Sequence, residues 1–195
     1  MDRKAFFDDV RKAFGKLTQN QVTGLSLLLD AAKDLPMRHQ AYVLATAWHE
    51  TGPEDSPLHM TPRVEIWGPT AAQKRYEGSK ALGNTLPGDG FRFMGRGFVQ
   101  LTGRANYAKA AKVTGVDLVA FPALASRPDI AAKVMVSGMT EGWFTGKKMA
   151  DYTGFRNMRR VVNGTDKAAL IARYAEAFLG ALLAGAVAAA VDPLP

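Results

Sequence analysis

The sequence contains no cysteine and only three histidines among its 195 residues. The lack of cysteine excludes a disulfide scaffold, a zinc site with thiolate ligands and a thiol nucleophile. His39, His49 and His59 are spaced so that they share no helical face, and we therefore expect no metal site. Any enzymatic chemistry in this chain has to rely mainly on carboxylates.

Acidic residues are fewer than basic ones, with 18 Asp and Glu against 25 Lys and Arg, which gives a net charge of +7. This balance favours a polyanionic partner such as nucleic acid, an acidic lipid or an anionic cell-wall polymer, and it does not choose among them. Residues 156–160 add a small basic face through Arg156, Arg159 and Arg160. We interpret this face as solvated helix surface, with a patch for an anionic polymer as the alternative.

Long hydrophobic runs are also missing. Asp2, Asp8 and Asp9 interrupt the first turns and no apolar run follows them, so we expect no secretion signal. Residues 177–191 carry no charge, but this run is shorter than the ~20 residues that a spanning helix needs. It predicts a packed terminal helix, with contact between this apolar helix and a membrane as the alternative.

The remaining pattern is mostly helical. A capping box at residues 18–21 predicts the start of one helix, and a proline predicts the start of another over 36–51. Further helices are predicted over 104–113, 126–144 and 166–191. Residues 53–103 show poor periodicity, many glycines and prolines, and one short helix after Thr70. The chain length suits one domain. We therefore predict a mainly α protein with a single catalytic domain over residues 1–195 and a loop-rich insert over about 53–103.

The sequence His49-Glu50-Thr51-Gly52 places a carboxylic acid in the last turn of an apolar helix, directly before Pro53. Partial burial and the helix dipole would both favour the protonated form of Glu50, which a general acid requires. Zinc-protease chemistry would need a second histidine at position 53, where this chain has proline. The alternative interpretation of Glu50 is an ordinary solvated residue at a helix end.

The most specific segment is Gly95-Arg96-Gly97-Phe98-Val99-Gln100-Leu101-Thr102, which is followed by Asn106-Tyr107. Together with His49-Glu50-Thr51, Leu82-Gly83-Asn84, Gly88-Asp89-Gly90, Asn163-Gly164 and Arg173-Tyr174, it resembles glycoside hydrolase family 19. That family comprises chitinases and related phage endolysins that cleave bacterial peptidoglycan. The similarity spans about residues 41–180, in the order found in the family.

The resemblance implies a role for each matching residue. Glu50 would be the general acid, while Thr102 would help to hold the attacking water and Gln100 would line the cleft. Sugar amides or hydroxyls would be contacted by Asn106 and Asn163. Two further residues, Arg96 and Arg173, would brace the acidic centre. Tyr107 is as consistent with the core as with the cleft. The family mechanism needs no metal or cofactor.

The second carboxylate is expected on the loop after the acid. Met60-Thr61-Pro62-Arg63-Val64-Glu65 resembles a stretch in which related endolysins often carry this residue, so Glu65 is our choice. Residues 53–59 resemble an insertion, which shifts the alignment of the carboxylates that follow with those of the related endolysins. Glu54 and Glu77 therefore remain alternatives, whereas Asp89 between glycines is expected to fix a turn.

The resemblance implies a lysozyme-like helical domain whose loop-rich insert forms one wall of a substrate cleft. We expect a monomeric, inverting N-acetylmuramidase-type endolysin that acts on peptidoglycan. It would wait in the host cytoplasm until a holin releases it to the periplasm and cell wall. A chitinase is the alternative within the same class. A basic helical nucleic-acid-binding module or a non-catalytic wall-binding module is the alternative from another class, but no ordered recognition helix is visible, so we expect no nucleic-acid partner.

Overall fold

The structure is a computed structural model that describes residues 1–191. Its longer helices are α1 (Arg3–Phe14), α2 (Gln19–Ala32), α3 (Met37–Glu50), α6 (Arg104–Thr114), α7 (Pro128–Glu141) and α9 (Ala168–Val191). Three helices have four residues each, namely α4 (Ala71–Lys74), α5 (Asp89–Arg92) and α8 (Phe155–Met158). Two short strands, β1 (Arg63–Val64) and β2 (Arg96–Gly97), pair antiparallel. The predicted mainly α fold is confirmed.

The helix ends follow local signals in the sequence. Thr18 and Gln21 form the predicted capping box, in which each side chain bonds the other's backbone N–H. Thr70 caps α4 in the same way. At the C-terminal ends of α6 and α7, Gly115 and Gly142 adopt the left-handed conformation that terminates helices without steric cost.

Three helix predictions differ from the structure. The first helix, α1, was not expected; Asp2 accepts a hydrogen bond from the backbone of Ala5 and so begins it. The predicted helix over 126–144 ends earlier, at Glu141, because Gly142 reverses the chain. The last helix begins at Ala168 rather than at 166, because Lys167 has a φ of 54° and cannot continue a right-handed turn.

The large core surrounds α3. Eight consecutive residues of this helix, 41–48, are buried, and α1, α2, α7, α8 and α9 supply the surrounding apolar side chains. Trp48 packs between Phe14 and Phe178, at ring-centroid distances of 4.6 and 5.7 Å. Because α3 is enclosed on nearly all sides, its last residue is held in a well-defined position.

A second, smaller core lies under the loop-rich segment. It contains Phe93, Leu101, Tyr107, Leu118 and Trp143, among others. Helix α7 belongs to both cores: Ala131, Met135 and Met139 face the large one, whereas Ile130 and Val134 face the small one. The molecule therefore has two lobes that share one helix, with α3 in the first lobe and the β1–β2 pair between them. The single domain over 1–195 stays a prediction, and residues 192–195 lie outside the described part.

Helix α9 has 24 residues and is long and apolar enough to cross a membrane by length and composition. Residues 177–191, the uncharged part of this helix, are by themselves shorter than the ~20 residues that a membrane-spanning helix needs. One face, which includes Ile171, Phe178 and Leu182, is buried against the large core. Near its end, Leu183, Val187 and Val191 are exposed. Packing of the terminal helix is thus observed, whereas membrane contact stays a prediction.

Candidate active site

Glu50 is the last residue of α3 and its side chain is 24% exposed. Its Oε1 accepts a hydrogen bond from Nη1 of Arg159 at 2.5 Å. Arg159 is itself 2% exposed and also donates through Nε to the carbonyl oxygen of Asp166. A half-buried carboxyl with one oxygen fixed by a buried cation leaves the second oxygen available for a substrate.

The carbonyl groups at the end of α3, which lack partners within the helix, are satisfied by the segment that follows. Thr51 donates its hydroxyl to the carbonyl of Ala47 and accepts a hydrogen bond from the backbone of Met60. His59 reaches the carbonyl of Trp48 with Nε2 at 2.7 Å. Arg63 donates to the carbonyl of Thr51 at 2.6 Å. Residues 51–63 therefore hold the helix end that carries Glu50.

The environment of His59 fixes its tautomer. Because Nε2 faces a carbonyl oxygen, it must donate, and Nδ1 then accepts from the side-chain amide of Gln21 at 2.9 Å. Burial lowers the pKa of His59, while the hydrogen bond to Trp48 acts against this shift. Burial also lowers the pKa of His49, against the opposing effect of the neighbouring Glu50. Both rings are therefore neutral near pH 7.

Glu65 follows β1 and is bound to the turn before β2. Its backbone N–H donates to the carbonyl of Gly95 at 2.8 Å, and the N–H of Gly95 donates back to Oε2 of Glu65 at 2.9 Å. Gln73 donates to Oε1 at 3.0 Å. The Tyr76 hydroxyl lies at 3.4 Å from the same oxygen; burial and, after it, the charge of Glu65 raise the pKa of Tyr76. Three donors thus orient this carboxylate.

The other two candidate carboxylates have different surroundings. Glu77 accepts hydrogen bonds from the backbone of Gly88 at 2.7 Å and of Gly90 at 2.8 Å, so both its oxygens hold a loop. Glu54 is exposed and accepts from the Tyr174 hydroxyl at 3.0 Å. Asp89 accepts from the backbone of Leu86 and pairs with Arg104, and this hydrogen bond lowers the pKa of Asp89. Among Glu54, Glu65 and Glu77, Glu65 is the carboxylate that three donors orient, and its catalytic role stays a prediction.

Arg63 connects the two carboxylates. Its guanidinium bonds the residue that follows Glu50, and its backbone lies in β1, two residues before Glu65. Gln100 donates to the carbonyl of Arg63 at 3.4 Å. A Cβ placed on Gly95 would lie 2.6 Å from the side-chain oxygen of Gln100 and 3.2 Å from Oε2 of Glu65, so a larger residue there would displace these two side chains. The structure thus brings Glu65, Gly95 and Gln100 together.

The predicted polar residues Thr102 and Asn106 follow Gln100 along the chain, and hydrogen bonds link the three residues in a row. Thr102 donates its hydroxyl to the carbonyl of Gln100 at 2.8 Å. Asn106 donates to the carbonyl of Thr102 at 3.1 Å. Gln100 itself has a φ of 55°, a strained conformation for a residue other than glycine. Such outliers persist where the surrounding contacts enforce them and are frequent at functional sites.

Four predicted residues lie in other surroundings. Arg96 is buried and bonds the Tyr107 hydroxyl and the carbonyls of Arg92 and Met94, so its contacts brace the small core rather than an acidic group. Tyr107 belongs to that core, where burial raises its pKa to about 12. Asn163 is exposed and bonds the backbone of Gly164. Arg173 is exposed on α9 and lines a surface cavity with Arg156 and Arg160.

Arg159 was interpreted from the sequence as part of a solvated basic face, and for this residue the interpretation is wrong. It packs inward because the turn over Arg159–Val161 sets it under α9, whereas its neighbours Arg156 and Arg160 remain exposed. Glu50 lies 109 residues away in sequence, so no local pattern joins the two. The only signal available was the apolar spacing of Phe155, Met158 and Val161, which are all buried.

The fold was compared with solved protein structures. A bacterial family 19 chitinase superposes with a TM-score of 0.61 at 22% identity, covering 90% of this chain and 93% of that one. Chitinase C from Streptomyces griseus gives a TM-score of 0.58 at 20% identity, covering 92% of this chain and 75% of that one. The chain has the fold of the family 19 chitinases.

The sequence comparison agrees with the fold. A glycosyl hydrolase family 19 domain-containing protein of Haemophilus influenzae is 29% identical over 94 residues, which are 48% of this chain. The chain covers 44% of that relative's length. No protein-family model matches the sequence. The chain therefore has the fold of family 19 chitinases, and about half of its sequence is similar to a family 19 glycosyl hydrolase domain-containing protein.

Proposed function

We propose that this chain hydrolyses the β-1,4 glycosidic bonds of peptidoglycan and acts as an endolysin. The family assignment supports a glycoside hydrolase with a polysaccharide substrate. The observation that carries the proposal is the pair of Glu50 and Arg159: a half-buried carboxyl at a rigid helix end, linked through Arg63 to the strand that leads to Glu65. Two carboxylates on opposite walls of a cleft are the requirement for glycoside hydrolysis.

In the proposed reaction Glu50 donates a proton to the glycosidic oxygen as the bond to the anomeric carbon breaks. Glu65 accepts a proton from a water molecule that attacks the opposite face of the sugar. An inverting reaction needs the two carboxyl groups about 6.5–9.5 Å apart to leave room for that water. Gln73, Tyr76 and the backbone of Gly95 orient Glu65 for this step.

Peptidoglycan is preferred over chitin on the basis of charge. The chain carries +7 at neutral pH, and cationic proteins adsorb to anionic polymers. In the proposed life cycle the protein stays in the host cytoplasm until a holin opens the membrane, and then reaches the wall. Chitin hydrolysis is the second candidate, because the similar solved structures named above are chitinases.

The test is digestion of purified sacculi and of colloidal chitin with the same protein preparation. We expect soluble muropeptides whose new reducing end is N-acetylmuramic acid, identified by mass spectrometry, and little release from chitin. Proton NMR of early product should show the α anomer, as inversion requires. Equal turnover of the two polymers would refute the preference for peptidoglycan, and an N-acetylglucosamine reducing end would refute the muramidase assignment.

A further inference from the structure

A cavity of about 560 Å³ lies between α8 and the beginning of α9, and four basic side chains line it. We call it the basic groove, defined by Arg156, Arg160, Lys167 and Arg173. All four residues are exposed. No Asp or Glu is among its lining residues, and none of the four side chains forms an ion pair or hydrogen bond within residues 1–191.

Keeping four like charges around one cavity is unfavourable, since each repels the others. The backbone adds a further cost, because Lys167 is held in the left-handed region with a φ of 54°. The N-terminus of the 24-residue helix α9 opens into the same cavity and contributes a partial positive charge. The four basic side chains and the helix N-terminus both favour an anionic ligand.

The basic groove is connected to Glu50 through Arg159. Arg160, which lines the groove, directly follows Arg159, whose guanidinium holds the Glu50 carboxyl. Arg159 also bonds the carbonyl of Asp166, next to Lys167. A second cavity of about 590 Å³ at the end of α3 has the opposite character, because Glu54 and Asp55 line it. An anionic group on a bound glycan would therefore be directed to the basic groove.

We propose that the basic groove binds carboxylates of the peptides that peptidoglycan carries on alternate sugars. This inference rests on the proposed function and makes the groove the part that distinguishes a peptide-bearing glycan from a bare one. Chitin has no such carboxylates. A concave cavity of this volume suits a short flexible peptide, since a flat bilayer cannot enter it.

The test compares two substrates and two charge-matched variants. Arg156→Gln/Arg160→Gln removes two charges from the groove, and Lys112→Gln/Lys133→Gln removes two exposed charges elsewhere. The substrates are intact sacculi and glycan strands from which an amidase has removed the peptides. We expect the groove variant to lose roughly three- to thirtyfold in kcat/KM on sacculi, less at high salt. On stripped strands it should match the wild type, and the control variant should match it on both.

Three outcomes would overturn the proposal: no loss on sacculi, an equal loss on both substrates, or an equal loss in the Lys112/Lys133 control. A binding measurement separates this result from failure of the proposed function. Calorimetry with a disaccharide–peptide and with the bare disaccharide tests the groove without hydrolysis. A wild-type preference for the peptide-bearing ligand that the groove variant loses supports the groove even if neither polymer is cut. An enzyme inactive on both polymers refutes the proposed function alone, and absence of that preference refutes the groove.

Discussion

The contact between Glu50 and Arg159 joins a side chain proposed for chemistry to one that is almost completely buried. Because Arg159 is almost completely buried, water cannot take the place of the Glu50 carboxyl. The pair therefore supports the local fold as well as the proposed reaction. A carboxyl in this position cannot be altered without affecting both. This is why stability has to be measured alongside activity in any variant of either residue.

The first prediction concerns Glu50→Gln. The amide keeps an oxygen for Arg159 but has no proton to give, so the hydrolysis rate should fall at least about 100-fold, the lower end of what general acid catalysis supplies. Loss of the charge next to buried Arg159 should lower the free energy of unfolding by about 1–3 kcal/mol.

The measurements for Glu50→Gln are lysis rate and thermal melting. The control is Glu176→Gln, which changes an exposed carboxyl on α9 and should leave both unchanged. A folded Glu50→Gln protein with more than about a tenth of the wild-type rate would remove Glu50 from the acid role.

The second prediction concerns pH. Burial lowers the pKa of His59 below its usual 6.5, and it lowers those of His39 and His49 in the same direction. The unfolded chain then binds more protons than the folded one as the pH falls below about 6.5, so stability decreases toward acid. One such histidine contributes at most about 1.4 kcal/mol per pH unit. Melting temperatures between pH 7 and 5 should fall, and His59→Gln should flatten this dependence.

The control for this prediction is His39→Gln. His39 makes no side-chain hydrogen bond within the described residues, so its replacement should change the pH dependence of melting but not the hydrolysis rate. His59→Gln should lower the rate as well, because His59 satisfies a carbonyl in the turn that carries Glu50. A His59→Gln protein that melts with the wild-type pH dependence would contradict the assignment of a neutral, buried ring.

At the scale of secondary-structure elements, the approach of α2 to residue 60 is very close. A Cβ on Gly24, in the middle of α2, would lie 2.2 Å from the carbonyl oxygen of Met60. Met60 also bonds Thr51 at the end of α3, so the same contact transmits the position of α2 to the candidate site. Glycine is therefore required here in spite of its low helix propensity.

Replacement of glycine by alanine should consequently have opposite effects in two helices. Gly180→Ala in α9 adds a methyl group near only the Asp9 side chain, 3.8 Å away, and should stabilise the protein by up to about 1 kcal/mol. Gly24→Ala should destabilise it by about 1–3 kcal/mol, because it overpacks a backbone contact. Urea denaturation of both variants measures the difference. Equal stabilisation by both would show that α2 and residue 60 are not in contact in solution.

The helices that could be predicted from sequence are those with local signals. Helices α3, α6 and α7 have a proline at the start or a glycine at the end, and these signals act within a few residues. The sequence does not indicate the first helix, because Asp2, Asp8 and Asp9 interrupt the apolar pattern of its turns. In the structure Asp2 caps α1, and Asp8 and Asp9 pair with Lys4 and Lys12 on its exposed side.

The candidate site could be predicted from the sequence only where its residues lie within one short motif. Motifs in the sequence indicate Glu50 and the segment around Gln100 as candidates, whereas no motif indicates Arg159 as the partner of Glu50. Arg159 and Glu50 meet because α8 and α9 fold back over α3, and no pattern within either segment encodes that contact. The catalytic and binding roles of all the proposed site residues, Glu50 and Glu65 included, stay predictions.

At the scale of the whole molecule, the two cores share α7. We therefore expect a single cooperative unfolding transition, with the calorimetric enthalpy equal to the van't Hoff enthalpy. Leu101→Ala, a truncation in the small core, should lower the midpoint of the entire transition, at a cost of about 2–5 kcal/mol. Calorimetry and far-UV circular dichroism provide the measurement. Two resolved transitions, of which Leu101→Ala shifts only one, would show that the lobes unfold separately.

The position of α9 limits what one molecule can do at one time. This helix covers α1 and α3, and the Asp166 carbonyl just before it binds Arg159. If α9 entered a bilayer, the apolar faces of α1 and α3 would be left in water, and the support of the Glu50 side chain would be lost. Hydrolysis and insertion are thus mutually exclusive states. A population that showed both properties would consist of two kinds of molecule, with the inserted fraction enzymatically silent.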